Sequence, residues 1–257
     1  MHPTYDPVLV LVSIGVAILG AQTAFALTAG GYDRRFGAWR TSFALANSGL
    51  VMGLTSWAAH LVGLMAITLP VPFSWSFAET VASFAVAIAG TGAGLYIARA
   101  RLLRRWSIPA AALCIGLGIA GMHYLGMSAA RGPGLAYDLR FVLASVAVAV
   151  AASWIGLWLA LRRRGVLPPL AGGTVQGLAV AGTHYAAMAG TFFVPLELGV
   201  EEGTPFLGQG LIAYLIAGGI AALSIANLVL LGLIAMRRSR AAPGATPAQR
   251  IGSIRAG

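Results

Sequence analysis

The stretch SIPAAALCIGLGIAGMHYLGMSA, residues 107–129, runs for 23 residues without one charged side chain. At 1.5 Å of rise per residue, a helix of this length covers the roughly 30 Å hydrocarbon core of a bilayer. The run is too long for a strand, and it is continuously apolar rather than alternating, so it does not carry the pattern of a membrane barrel. Lipid gives backbone groups no water to bond, which leaves helices and closed barrels as the only spanning structures. Residues 107–129 are therefore expected to form a membrane-spanning helix.

Comparable runs occupy 7–28, 41–66, 79–98, 139–161, 168–190 and 208–236. Of the 257 residues 58% are hydrophobic and only 9% charged, against roughly 25% charged in a soluble domain. Mean hydropathy is +0.83. The expectation is an all-α polytopic membrane protein with seven transmembrane helices, a single membrane domain over 1–236 and a short disordered Arg-containing cytoplasmic tail over 237–257. No soluble catalytic domain fits beside the spans. The first run lacks a basic leader and a convincing cleavage site, so it is expected to be a retained span. Cys114, the only cysteine, sits within an apolar run and can form no intrachain disulfide.

A net charge of +10 raises the question of a nucleic-acid partner, but all 17 basic residues are Arg, clustered between apolar runs. Fifteen of them follow the first, third, fifth and seventh runs, and only Arg131 and Arg140 fall on the other side. By the positive-inside rule the N-terminus is expected outside and the C-terminus in the cytoplasm. Asp6, Glu79, Asp138, Glu197, Glu201 and Glu202 map to the outer side, and Asp33 alone lies among the inner Arg residues. With no aromatics interleaved for stacking, no nucleic-acid partner is expected. Ser76 with Glu79 reads as a capping box for the third helix. Asn47, Gln22, Gln176 and Asn227 are expected to bond between helices, and Arg131 to snorkel to headgroups.

Three of the four histidines recur two spans apart: His60, His123 and His184. Their strings are Trp57-Ala-Ala-His60-Leu-Val-Gly-Leu-Met65, Ala120-Gly-Met-His123-Tyr-Leu-Gly-Met127 and Ala181-Gly-Thr-His184-Tyr-Ala-Ala-Met188. Each lies toward the C-terminal end of an even-numbered, outward-running helix, so all three share one depth. Met127 and Met188 stand at i+4 from a histidine, on the same face. Gly63, Gly121, Gly126, Gly182, Ala186 and Ala187 would let these helices approach closely. Ionisable groups in a membrane usually face a bundle interior, which makes the histidines ligand candidates. Imidazole suits Cu, Zn, Fe and Ni, thioether selects Cu(I), and no carboxylate is present to favour Mg, Ca or Mn. Copper is the expected ion, with haem as the less favoured cofactor. No Ser/His/Asp group, phosphate loop or carboxylate pair is present, so no enzyme is expected.

Met122-His-Tyr-Leu-Gly-Met127 and His184-Tyr-Ala-Ala-Met188, with His60-Leu-Val-Gly as an outlying copy, resemble the bacterial MHYT domain. The resemblance spans about residues 8–236. It implies an integral sensor of the bacterial inner membrane that binds copper through the motif residues and thereby senses O2, CO, NO or another diatomic. Carried over, the ligands would be His60, His123, His184, Met127, Met188 and Met122, with Tyr124 and Tyr185 capping the site or a bound ligand. The first copy departs from the motif at Ala59, Leu61 and the displaced Met65, and the third at Thr183. Many members join a cyclase, phosphodiesterase or kinase output, so a separate cytoplasmic or membrane signalling partner is expected here. A homo-oligomer, a copper carrier or metallocentre assembly factor, and a metal-free membrane scaffold remain open alternatives.

Overall fold

The computed structural model describes residues 4–31, 38–68, 74–99, 105–131, 134–162, 167–194, 216–229 and 232. Six long helices appear where the apolar runs predict them: α1 (Pro7–Gly31), α2 (Ala38–Met65), α3 (Phe77–Arg99), α4 (Ser107–Ser128), α5 (Leu139–Arg162) and α6 (Leu167–Ala189). Each packs on its sequence neighbours, and α6 packs on α1, so the six close into a ring. The even helices also meet one another across its centre. Helices α1 to α5 are long and apolar enough to cross a membrane. A seventh, α7 (Ile216–Val229), is shorter as described and sets Ala217 and Ile220 into the main core.

Helix α6 is as long as its neighbours but less apolar, because it carries Thr174, Gln176, Thr183 and His184. Thr183 donates to Ala179 O of its own helix, while two of these side chains bond between helices, Gln22 Nε2 donating to Thr174 Oγ1 at 2.9 Å and Gln176 Nε2 to Ser153 Oγ at 3.1 Å. Such bonds give transmembrane helices about 0.6 kcal/mol each. Asn227 instead donates to Leu223 O of its own helix, contrary to the expectation of an interhelical bond. Close backbone approach does more. Gly173 and Gly177, one turn apart on α6, sit against the backbone of Gln22 and Ile18 on α1, and Gly90 meets Gly118 across α3 and α4.

Three short antiparallel ribbons, unforeseen in the sequence, clasp the helix pairs. β1 (Thr4–Tyr5) pairs with β2 (Ile67–Thr68), β3 (Ser74–Trp75) with β4 (Ala130–Arg131), and β5 (Gly134–Tyr137) with β6 (Thr191–Val194). Each ribbon ties the start of an odd helix to the end of the following even one. The three units repeat in detail: the N–H of Asp6, Ser76 and Asp138 donates to the carbonyl of Ala66, Ala129 and Gly190, at 2.8, 2.8 and 2.9 Å. Asp6 Oδ1 also accepts from the N–H of Val8 and Leu9, and Asp138 Oδ1 from Arg140 N, which caps α1 and α5. Asp138→Ala is expected to cost about 1 kcal/mol, read as an earlier midpoint in denaturant titration of the detergent-solubilised protein.

The second unit corrects the capping-box reading. The Ser76 N–H is taken by Ala129 O, so Glu79 has no donor to reach back to and pairs instead with Arg131. Arg131 is thereby held at the surface by Glu79 and Ser128 O. Of the inner Arg clusters only Arg105 has a described side chain, exposed and 5.4 Å over the Trp106 ring; the others, with Glu197, Glu201, Glu202 and the tail 237–257, lie outside the described residues or have undescribed side chains.

Candidate metal centre

The ring places the three histidines on its axis. Each occupies an inward face near the clasped end of an even helix, and each is at least 96% buried. Their Nδ1 atoms form a triangle: 3.1 Å from His60 to His184, 3.1 Å from His123 to His60 and 3.3 Å from His184 to His123. The rings pack edge to face, with centroids 4.8 to 5.2 Å apart.

Three neutral imidazoles cannot satisfy this triangle among themselves. A neutral Nδ1 either carries a proton or offers a lone pair, never both. Of three mutually close Nδ1 atoms, at least two are therefore alike, and at least one edge sets donor against donor or lone pair against lone pair. A cation on the axis would engage all three lone pairs at once. With metal–nitrogen bonds of about 2.0 Å, a triangle of this size would let His60, His123 and His184 hold one ion together. The residues present fit such an ion.

Two of the rings reach across to the next even helix. Nε2 of His184 lies against Gly63 and Nε2 of His60 against Gly126, where an added Cβ would stand 2.6 and 2.5 Å away. Among the described residues, the buried Nε2 atoms of His60 and His123 have no hydrogen-bond partner. One turn beyond each histidine stand Leu64, Met127 and Met188, which pack with Ile67 and Phe193 into a separate apolar cluster. Both i+4 methionines are thus brought together near the axis, and Leu64 fills the third place. Met65 packs against the main core instead, as its spacing implies. Met122 is 1% exposed and lies outside that cluster.

Tyr124 and Tyr185 lie edge-on to His123 and His184, at 5.0 and 4.8 Å between centroids. Their hydroxyls go to the odd helices. Tyr124 meets Ser145 of α5 at 2.8 Å, and Tyr185 meets Ser13 of α1 at 2.6 Å. Each serine donates to the carbonyl three residues back, Val142 and Val10, so the phenol is the donor of the pair. Tyr137 and Tyr5 of the ribbons stack on these phenols, and burial, helped by the neighbouring tyrosine, pushes their own hydroxyls to higher pKa. Ser13, Ser83 and Ser145 each stand seven residues after a unit's first helix cap, a spacing readable in the sequence but missed there.

Residues 53–112 and 116–173 match the family described as Bacterial signalling protein N terminal repeat, MHYT. The two copies begin 63 residues apart, the separation of His60 from His123. The chain carries MHYT repeats. Over 212 residues it is 34% identical to the bifunctional diguanylate cyclase/cyclic di-GMP phosphodiesterase MucR of Pseudomonas aeruginosa, covering 78% of this chain and 31% of that protein. The signaling protein YkoW of Bacillus subtilis is 26% identical over 75% of this chain and 25% of its own length. The cyclic di-GMP phosphodiesterase NbdA of P. aeruginosa is 30% identical over 86% and 29%. The MHYT chain thus spans less than a third of these relatives. No solved structure matches it. Its relatives are signalling proteins and its helices are those of a membrane domain, which supports a membrane signalling role.

Proposed function

We propose that this MHYT protein is an inner-membrane sensor whose resident ligand is a single copper ion held by Nδ1 of His60, His123 and His184. The triangle of Nδ1 atoms carries the reading, because its nitrogens have no mutually satisfactory protonation and a cation relieves all three. Copper is preferred over other imidazole-binding ions for the thioethers of Met127 and Met188 one turn away, with Met122 a further sulfur. The ion would supply an open coordination position to a small ligand such as a diatomic gas. Tyr124 and Tyr185 would act by positioning His123 and His184 through their rings.

Haem suits the arrangement less. Two axial nitrogens flank the macrocycle on opposite faces, about 4 Å apart, whereas the three Nδ1 atoms stand within 3.3 Å of one another. A carrier or assembly factor would need a way through. On the histidine face, the two preceding turns carry Ser56, Ile119 and Val180, then Met52, Ile115 and Gln176, all buried. Together with the Leu64, Met127 and Met188 layer, these close the site along the axis, which favours a resident ion over a passing one. In this reading the N-terminus is outside, the Arg-rich connections are cytoplasmic, the chain performs no reaction of its own, and the state of the site passes to a signalling partner.

The test is elemental analysis of protein purified in detergent after Cu(I) loading and removal of loose ions. One copper per chain is expected. Zinc retained in preference to copper, or a Soret band, would replace this reading, and no bound metal would leave the scaffold.

A further inference from the structure

The three units share their histidine, their clasp and the serine of the odd helix, but not the tyrosine that meets this serine. Where α4 meets α5 and α6 meets α1, a tyrosine beside the histidine donates to the odd helix's serine. At the matching place between α2 and α3 the tyrosine is replaced by Leu61, opposite Ser83. Ser83 is 1% exposed and, like its counterparts, donates to the carbonyl three residues back, Thr80. No phenol reaches its lone pairs. What fills the seam is apolar: Leu61, and Trp57 tilted on Phe84 with centroids 5.2 Å apart. Leu61 is only partly buried, yet it packs directly against the cluster of Leu64, Met127 and Met188. Leu61 thus links the partly exposed face of α2 to the layer next to the histidines, a position that Leu135 holds on the β5–β6 ribbon. Deeper along the same seam the helices are in close contact, with Gly49 on Gly92 and Gly53 on Ile88, and Thr91 Oγ1 shares its proton between Ala87 O at 2.7 Å and Gly49 O at 3.0 Å.

From this broken threefold pattern we infer that the outer half of the α2–α3 seam is the route by which a small uncharged molecule dissolved in lipid reaches the histidine triad. The lining chooses the class of molecule. Leu61 and Phe84 offer nothing to an ion, and the Trp57 indole N–H, buried without a partner among the described residues, is a single neutral donor that does not offset the cost of desolvating an ion in an apolar gap. The two latched seams would have to break a buried hydrogen bond to open, and this one would not. What is reached rests on the proposed copper site; where the ring opens does not.

The two parts are tested apart. In a Cys114→Ala background, Ala17→Cys, Ala87→Cys and Ala149→Cys each place a thiol at the matching buried step of one odd helix, one turn past Ser13, Ser83 and Ser145, and leave both tyrosine–serine latches in place. Methyl methanethiosulfonate, small and neutral, probes them in the folded protein without metal, and Ala87→Cys is expected to react about tenfold faster than the other two, the factor one hydrogen bond imposes on an opening. Equal rates, or a faster Ala17→Cys or Ala149→Cys, overturn the route whatever the metal. In copper-loaded protein, carbon monoxide then probes the triad, with Leu61→Ala expected to bind it faster and Leu61→Tyr, which supplies the missing phenol to Ser83, about tenfold slower. Ser145→Ala is expected to leave the rate within about twofold, since its seam is not the one used. A rate that follows Ser145 rather than Leu61 overturns the inference. Failure to hold copper at all overturns the proposed site, while the thiol rates still decide the seam.

Discussion

His123→Ala is expected to abolish stoichiometric copper. Removing one nitrogen leaves an ion two imidazoles and a gap in an apolar pocket. Changes to groups that merely orient a ligand already weaken metal binding about 10- to 100-fold, so loss of a ligand itself should exceed about 100-fold. The measurement is competition with a Cu(I) chelator, with His2→Ala as the histidine control that retains the ion. A second readout comes from linkage. Copper at about 1,000 times its dissociation constant stabilises the protein that binds it by about 4 kcal/mol, so wild type should gain thermal stability on loading and His123→Ala should not. His60→Ala should behave alike, although its string is the poorest copy, because His60 supplies two of the three edges of the nitrogen triangle. Copper retained in either variant would mean that the triad is not the site.

Gly177→Val is expected to disassemble the ring. A Cβ at this position would lie 2.3 Å from Ile18 Cα and 2.6 Å from Ile18 N, backbone atoms that cannot rotate away. Gly173, one turn earlier, is as close to Gln22. Helices α1 and α6 must separate, which removes the Gln22 to Thr174 bond and the Tyr185 to Ser13 latch along with the packing. Overpacking alone costs about 1–3 kcal/mol, and each lost buried hydrogen bond adds to it, so the variant should aggregate or unfold at markedly lower denaturant. Gly15 lies on the same α1, and a Cβ added there would meet nothing within 4 Å, so Gly15→Ala should be neutral or stabilise by up to about 1 kcal/mol through helix propensity. Equal behaviour of the two variants would show that the close approach of α1 and α6 does not hold the ring.

Much of this was legible in the sequence. Helix positions follow from uninterrupted apolar runs, and α1 to α6 fall within a few residues of them. His60 was legible as a member of the triad by spacing alone, despite lacking the flanking Met and Tyr, because helices of matched length fix depth without help from neighbours. The displacement of Met65 from the face of Met127 and Met188 was equally legible, as one residue is about 100° of helix. Other features were not. Two-residue strands leave no alternation to detect, so β1 to β4 had no signal. The Ser76–Glu79 pattern looked like a capping box because a local rule could not foresee that Ala129 O would take the donor. The Gly173-x-x-x-Gly177 spacing was present but was not set against a partner helix. Ser13, Ser83 and Ser145 passed as ordinary small residues because their meaning lies in a comparison between units.

The matched family repeats start within α2 and α4, whereas the clasped units start at β1, β3 and β5. The two matched copies hold His60 and His123, and His184 lies beyond them, whereas each of the three clasped units brings two helices and one histidine. The number of clasped units therefore equals the number of imidazoles on the axis. Two units would leave a facing pair of imidazoles, and four would replace the triangle with a square and widen the ring around it. In most repeat proteins length drifts by whole units, since each contacts only its neighbours. A ring closed around three rings of imidazole has no such freedom, so duplication of a unit in this lineage should be a lethal change to the site rather than a longer version of it.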